Sequence, residues 1–243
     1  MTDAPAPSAG IYAGHDLEVL SGLTHYHDWI MDYFAPFIRG AVVEYGAGNG
    51  SISARLRPLA TKLDLVEPSP ALMPLLRERF RGDAAVAMQA SNLEAHIVAV
   101  PVNTYDCAVL VNVLEHIADD GEAVRALFRI LKPGGTLLLF VPALPFLFSR
   151  LDSFYGHFRR YRRDALARLV ADAGFDVGEA RYLDMLGVAP WWLLNTLGSA
   201  VTFNSVLVRL YDRLGVPLTR AIERLFKAPP FGKNVVLIAR KKA

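Results

Sequence analysis

Between Ala41 and Pro142 short apolar runs alternate with helical patterns, and this alternation limits the available folds more than any other feature. Ala41–Tyr45, Lys62–Val66, Ala84–Ala90, Tyr105–Val111 and Thr136–Pro142 read as strands, while Ser51–Leu59, Ala71–Phe80 and Glu122–Leu131 read as helices. Strands separated by crossover helices predict βαβ units and a parallel sheet covered on its faces. The expected fold is α/β, doubly wound and mostly parallel. Apolar and aromatic residues at helical spacing from Leu17 to Ile38 predict one or two helices before the first strand. After the sheet segments, Asp164–Ala173 predicts a helix stopped by Gly174, and Val177–Leu183 and Val235–Arg240 predict two more strands.

A length of 243 residues fits one large domain, and 53% hydrophobic against 21% charged residues excludes global disorder. The formal net charge, 26 − 24 = +2, is too balanced for a dedicated nucleic-acid binder. A single cysteine, Cys107, excludes a disulfide framework and any Cys-rich zinc site; it lies within a strand and reads as an inert buried thiol. No metal is expected. No basic region followed by an apolar run opens the chain, so the expected location is the cytoplasm. The expected organisation is a disordered leader (1–10), an N-terminal helical segment (11–40), a core (41–184), a helical cap (185–232) and a closing strand with the C-terminus (233–243).

Glu44-Tyr-Gly46-Ala-Gly48-Asn-Gly50 follows an apolar strand and opens a helix. Glycines allow a sharp turn and close approach to a ligand, and the helix N-terminus offers free N–H groups. Glu67 ends the next strand, 67 − 46 = 21 residues after Gly46, where a carboxylate can grip ribose hydroxyls. Ser51 stands one place after the GxGxG run, and the third glycine of the dinucleotide fingerprint is missing. The bland reading of this stretch is a tight turn with an ordinary surface glutamate.

EYGAGNG, LVEPS, YDCAVLVNVLEHI and LKPGGTLLLFVPA, in that order, resemble the motif series of class I S-adenosylmethionine-dependent methyltransferases, a Rossmann-like family. The resemblance covers about residues 40 to 183 plus the closing strand. More closely, the chain resembles the bacterial type 11 and type 12 branch, whose members carry a GHYRRY-like segment after the fifth strand; here it is Gly156–Tyr161. The resemblance implies S-adenosyl-L-methionine as cofactor. It implies that Gly46, Gly48 and Gly50 wrap the methionine part, with Glu44 near its ammonium. Glu67 would hold both ribose hydroxyls, Asn92 and Leu93 would flank the adenine, and Asn112 and Val113 would close near the sulfonium. Asn92 departs from the aspartate frequent at the adenine position.

Asn112-Val-Leu-Glu115-His116 lies just past the carboxyl end of an apolar strand, the edge where open parallel sheets bind ligands. His116 could act as a general base near neutral pH. A plainer reading has Glu115 and His116 capping the next helix and bracing the loop. Further on, four arginines and one histidine fall within His157–Arg163. Arginine forks suit phosphate or carboxylate. His157, Arg159, Arg160 and Tyr161 are expected to face the acceptor, and Arg162 and Arg163 the surface.

Met185–Val208 contains no charged residue, yet its Asn, Ser, Thr and Pro content argues against a membrane span. A basic amphipathic stretch comes next. The segment reads as a packed cap, as a lid over an apolar acceptor pocket, or as a surface lying on an anionic membrane. A lid would bring Trp191 or Trp192 near Gly48, Asn112 and His157. The expected function is methyl transfer to a small hydrophobic or anionic acceptor, lipid-like acceptors included. Peripheral contact with the inner membrane and a homodimer stay open. The rival readings are a nicotinamide-dependent oxidoreductase, against which the missing third glycine and the lack of a Tyr-x-x-x-Lys pair count, and a non-catalytic cofactor-binding protein at a membrane.

Overall fold

The computed structural model describes residues 22–198, 202, 204–226 and 228–242. The expected leader, Met1–Gly10, and the start of the N-terminal helical segment lie outside them. A first helix, α1 (Thr24–Phe34), precedes β1 (Ala41–Tyr45), and β2 (Lys62–Val66) and β3 (Val86–Gln89) come after it. Helices α2 (Ser53–Leu56) and α3 (Met73–Arg79) make the crossovers. Helix α4 (Leu93–Ala99) leads to β4 (Tyr105–Val111), and α5 (Asp120–Ile130) to β5 (Leu131–Pro142). Then come α6 (Arg150–Phe154), α7 (Arg163–Asp172) and β6 (Phe175–Leu183). The cap holds α8 (Val188–Trp191), α9 (Ser205–Leu210) and α10 (Val216–Glu223), with π-helical turns at Trp192–Leu197 and Tyr211–Gly215. β7 (Asn234–Lys241) closes the sheet.

The strand order is β3-β2-β1-β4-β5-β7-β6. β1 pairs in parallel with both β2 and β4, so the order reverses there and the loops leaving β1 and β4 diverge. A crevice at such a switch point, beyond the carboxyl ends of the strands, is where doubly wound sheets take ligands. β7 runs antiparallel between β5 and β6. The sheet is thus mostly parallel, as the alternation predicts. Its two faces carry separate apolar layers, one including Tyr45, Leu110, Leu127 and Leu137, the other Phe34, Leu63, Cys107 and Phe140. Cys107 is buried, and burial pushes its thiol up to about 12, which leaves it inert.

The cap adds no strand to the sheet; it is tied to the core by Val216, buried in the layer that holds Phe34 and Phe140, and by polar contacts. Asp212 in the cap accepts the backbone N–H groups of His25 (3.2 Å) and Tyr26 (2.9 Å), supplying the side-chain cap that Leu23 cannot give to α1. Asp184, fully buried at φ 70°, accepts the hydroxyls of Tyr211 and Tyr26 and pairs with Lys233 at 3.1 Å. Among the described residues no helix is long and apolar enough to cross a membrane.

Candidate active site

The glycine loop leaves β1 with Gly46, Gly48 and Gly50 all at positive φ (71°, 59° and 81°). Two of the three are forced by crowding. A Cβ on Gly46 would sit 2.4 Å from Val113 Cγ2, and one on Gly50 would meet Arg79 Cδ at 2.9 Å. Gly48 differs: nothing lies within 4 Å of where its Cβ would be. The middle of the loop therefore faces open space, while its ends are pinned by the sheet and α3.

Glu67, at the end of β2, fixes the loop's shape. Its Oε2 accepts the Gly48 N–H and its Oε1 the Ser69 N–H, both at 2.8 Å. Burial raises its carboxyl and the two N–H groups oppose that rise. Each oxygen keeps a lone pair, so the carboxylate can still receive hydroxyls. Glu44 lies under the same loop, 2% exposed, and accepts the Ser53 hydroxyl at 2.5 Å. Burial pushes its carboxyl up to about 8; the Ser53 bond opposes this and the charge of Glu67 adds to it. A buried acid of this kind has a use for a cationic partner. At the third strand the exposed Asn92 caps α4, its side-chain oxygen accepting the Ala95 N–H at 2.8 Å, while Leu93 is buried beneath. Asn112 follows β4 at φ 53°, with its N–H on Phe140 O at 2.8 Å. Val113 turns back onto Gly46. Gly46, Gly48, Glu44, Glu67, Asn112 and Val113 thus meet at one edge of the sheet.

The loop after β4 is held by the segment after α6. Phe158 N donates to Glu115 O at 2.8 Å, and the Tyr161 hydroxyl lies 2.9 Å from Asp120 Oδ2 and 3.2 Å from Leu114 O. Arg159 pairs with Asp120 at 2.7 Å and donates to Ala118 O at 2.6 Å. Arg160 is 5% exposed; it donates from Nε to Asp152 at 2.9 Å and lies 4.4 Å from the Trp191 ring. Burial lowers the Arg160 guanidinium and Asp152 opposes the fall. Asp152 also accepts the Ser149 N–H and hydroxyl at 2.8 Å each, and lies 2.9 Å from His157 Nδ1. Burial would raise Asp152; hydrogen bonds from His157, Ser149 and Arg160, with Arg160's charge, hold it below the usual range instead. An ionised acid only accepts, so His157 donates its Nδ1–H to Asp152. Tyr161, Arg159 and Arg160 are therefore engaged with the protein's own groups. Arg163 pairs with Asp164 and Arg162 is exposed, as expected.

Glu115 does not cap the next helix. Asp119 does, accepting the Glu122 N–H at 2.8 Å. Glu115 is instead fully buried, with neither carboxylate oxygen hydrogen-bonded, and burial pushes its carboxyl up to about 8. His116 stands edge-to-face with His157, ring centroids 4.6 Å apart. Burial and His157 bring His116 down to about 4, against a hydrogen bond to the Tyr155 backbone. Its ring is neutral at physiological pH. Asp152 escapes a reading of the sequence, although Ser149-x-x-Asp152 is a capping-box spacing that marks a helix start.

A glycine cradle open at Gly48, a carboxylate at the next strand end and a buried acid beneath lie together at the switch point, where a doubly wound sheet takes its ligand. Comparisons with known proteins give the family. Residues 22–180 match the methyltransferase domain family model, and the chain belongs to that family. It is 29% identical over 146 residues to the ubiquinone/menaquinone biosynthesis C-methyltransferase UbiE of Cronobacter sakazakii, covering 58% of this chain and 57% of the relative. The Pasteurella multocida UbiE is 29% identical over 121 residues, 47% of this chain and 45% of that protein. The chain thus spans about half the length of the curated relatives it matches. Among solved structures, an S-adenosylmethionine-dependent methyltransferase from Mesorhizobium loti superposes with a TM-score of 0.63 at 12% identity, over 90% of this chain and 100% of that one. The N-methyltransferase NodS from Bradyrhizobium japonicum, solved with S-adenosyl-L-homocysteine, gives 0.57 at 11% identity, over 90% and 86%. Membership of the methyltransferase domain family speaks against the nicotinamide-dependent oxidoreductase reading.

Proposed function

We propose that the protein methylates a small acceptor with an apolar body and a hydroxyl, acidic carbon or anionic head, received between the cap and the Glu115–His116–His157 cluster. The observation that carries this reading is the seating of Trp191. Its indole donates to Leu147 O at 3.1 Å, Thr196 donates to the same carbonyl at 3.1 Å, and its ring covers Arg160. Arg160 holds Asp152, and Asp152 holds His157. The uncharged half of the cap is thereby linked to the imidazoles by three consecutive contacts. It also presents Leu193, Leu194 and Leu197 at 56%, 50% and 60% exposure, an apolar surface with no role in the sheet. The UbiE relatives, named as quinone-biosynthesis C-methyltransferases, point to the same class of acceptor.

When bound, S-adenosyl-L-methionine supplies a methyl group on a positive sulfur, already activated for attack. The chain's task is alignment and exclusion of water. Glu67 would hold the ribose hydroxyls while its contacts with the Gly48 and Ser69 N–H groups keep the loop in register, and Glu44 would serve the ammonium. Asn92 and Leu93 would flank the adenine. Asn112 and Val113 would close the crevice near the sulfonium. His116 and His157 would face the acceptor, whose proton leaves to solvent at this cluster. Arg159, Arg160 and Tyr161 act as positioning residues, stapling the cluster to the end of β5.

Incubation with deuteromethyl S-adenosyl-L-methionine and a panel of prenylated phenols, hydroxy fatty acids and polar phenols tests the reading. Mass spectrometry should show label in an apolar member and none in polar analogues of the same ring. Equal labelling of polar analogues overturns the apolar-acceptor assignment.

A further inference from the structure

We propose that Glu115, His116 and His157 form a divalent-cation site whose open positions take the acceptor's oxygen. One ligand atom from each lies within 4.8 Å of the other two. Glu115 is fully buried, and both of its oxygens lack a hydrogen-bond partner. Nearly all buried polar atoms are paired, so two orphaned oxygens on one carboxylate call for a partner that is not a side chain. Each imidazole already has one nitrogen held from behind, His157 Nδ1 by Asp152 at 2.9 Å and His116 by the Tyr155 backbone. That arrangement orients the other nitrogen's lone pair outward, as the outer shell of a metal site does. Charge supports the assignment. Glu115 and Asp152 are two acids served by one buried arginine, Arg160, and Arg160 spends its Nε on Asp152.

Two imidazole nitrogens and a carboxylate suit zinc, cobalt, nickel or iron(II) rather than magnesium or calcium, which take oxygen ligands. A tetrahedral shell at ordinary metal–ligand lengths has edges of roughly 3.3 Å. Binding would draw the three ligand atoms, now within 4.8 Å of one another, in to about that length. Three protein ligands leave at least one position for a substrate oxygen. Resting on the acceptor reading above, a hydroxyl acceptor would bind as its anion, its O–H proton leaving to solvent, with the oxygen or the adjoining ring carbon left electron-rich for the methyl.

The full-length protein, stripped with chelator, is titrated with Co²⁺ followed by visible absorption and with Zn²⁺ by calorimetry. One equivalent should bind and give the d–d bands of a nitrogen- and oxygen-ligated cobalt centre. Glu115→Gln should weaken Co²⁺ binding at least about 100-fold, and Asp152→Asn about 10–100-fold through the lost support of His157. If Glu115→Gln fails to fold, His157→Ala gives the same readout. S-adenosyl-L-homocysteine affinity is measured in parallel, which separates this proposal from the cofactor side of the site. Absence of Co²⁺ and Zn²⁺ binding in a protein that binds S-adenosyl-L-homocysteine overturns the proposal. So does unchanged Co²⁺ affinity in the Glu115 and His157 variants.

Discussion

Replacing Glu67 by Gln removes a charge while keeping the shape, and the loop geometry sets the size of the loss. The carboxylate accepts two backbone N–H groups, from Gly48 and Ser69, each at 2.8 Å. A carboxamide can accept one of them; its NH₂ must then face the other donor. A hydrogen bond to a charged acceptor is worth about 1.5–3 kcal/mol, and a buried donor left unpaired costs about 1–3 kcal/mol. Relaxation of the loop takes back part of the sum, so a net loss of about 2–3 kcal/mol is expected. Those contacts exist without ligand, so that loss falls on folding stability; a Kd rise of similar size for S-adenosyl-L-homocysteine, roughly 30- to 150-fold, is expected from the charge-assisted bonds to the two ribose hydroxyls that a neutral amide also weakens. The loop is braced even without ligand, so the melting temperature should fall by about 4–10 °C as well. Calorimetric titration and thermal unfolding read both quantities. A Kd within about threefold of the parent, a difference of ~0.7 kcal/mol, would refute the reasoning.

Gly48→Ala meets no atom within 4 Å, so the fold should lose only the cost of a left-handed residue, about 1–2 kcal/mol. S-adenosyl-L-homocysteine affinity should fall further than that, and calorimetry against thermal unfolding separates the two. Gly46→Ala, by contrast, drives a Cβ to 2.4 Å from Val113 and should lower the melting temperature more than Gly48→Ala does. Glu44 carries a sign that can be checked. Its folded carboxyl is raised to about 8 from the ordinary 4.5, so its contribution to stability is full below pH 4.5 and is lost as pH rises to about 8. A bound ammonium favours the ionised form, so cofactor affinity should rise by up to about tenfold per pH unit towards pH 8 and then level off, and Glu44→Gln should flatten the profile. Arg160→Met leaves Asp152 buried without its cation and should destabilise the protein by about 3–5 kcal/mol, read by denaturant unfolding.

β1, β2 and β4 are legible in the sequence to the residue, because each is a short, mostly apolar run set off by glycine, by Asn and Thr, or by charged residues. Helix α4 is not. Its seven residues offer about two turns of pattern, and Asn92 and Leu93 read as flanking a ligand, although Asn92 is a standard N-cap type. The strand before Thr136 reads too short because Pro133, Gly134 and Gly135 look like a turn, yet β5 begins at Leu131. Alternation places a closing strand at the C-terminus but carries no information on pairing partners, so its antiparallel insertion between β5 and β6 appears only in the fold. At the site, the glycine loop and Glu67 are readable because backbone geometry demands those residue types at those positions. Glu115 reads as a cap because sequence shows that an acid precedes a helix, not which acid turns outward. The arginines of the Gly156–Tyr161 segment look free for a ligand, and only long-range contacts reveal that Asp120 and Asp152 already occupy them.

The central claim is that the crevice between the β1 and β4 loops seats the methyl donor facing the imidazole cluster, and a crystal structure with S-adenosyl-L-homocysteine tests it most directly. Ribose hydroxyls are expected on Glu67, the homocysteine chain along Gly46–Gly48 with its ammonium towards Glu44, and the sulfur on the side of Asn112 that opens towards His116 and His157. A ligand bound away from Glu67 and Gly48, or a sulfur turned away from the two histidines, would contradict it.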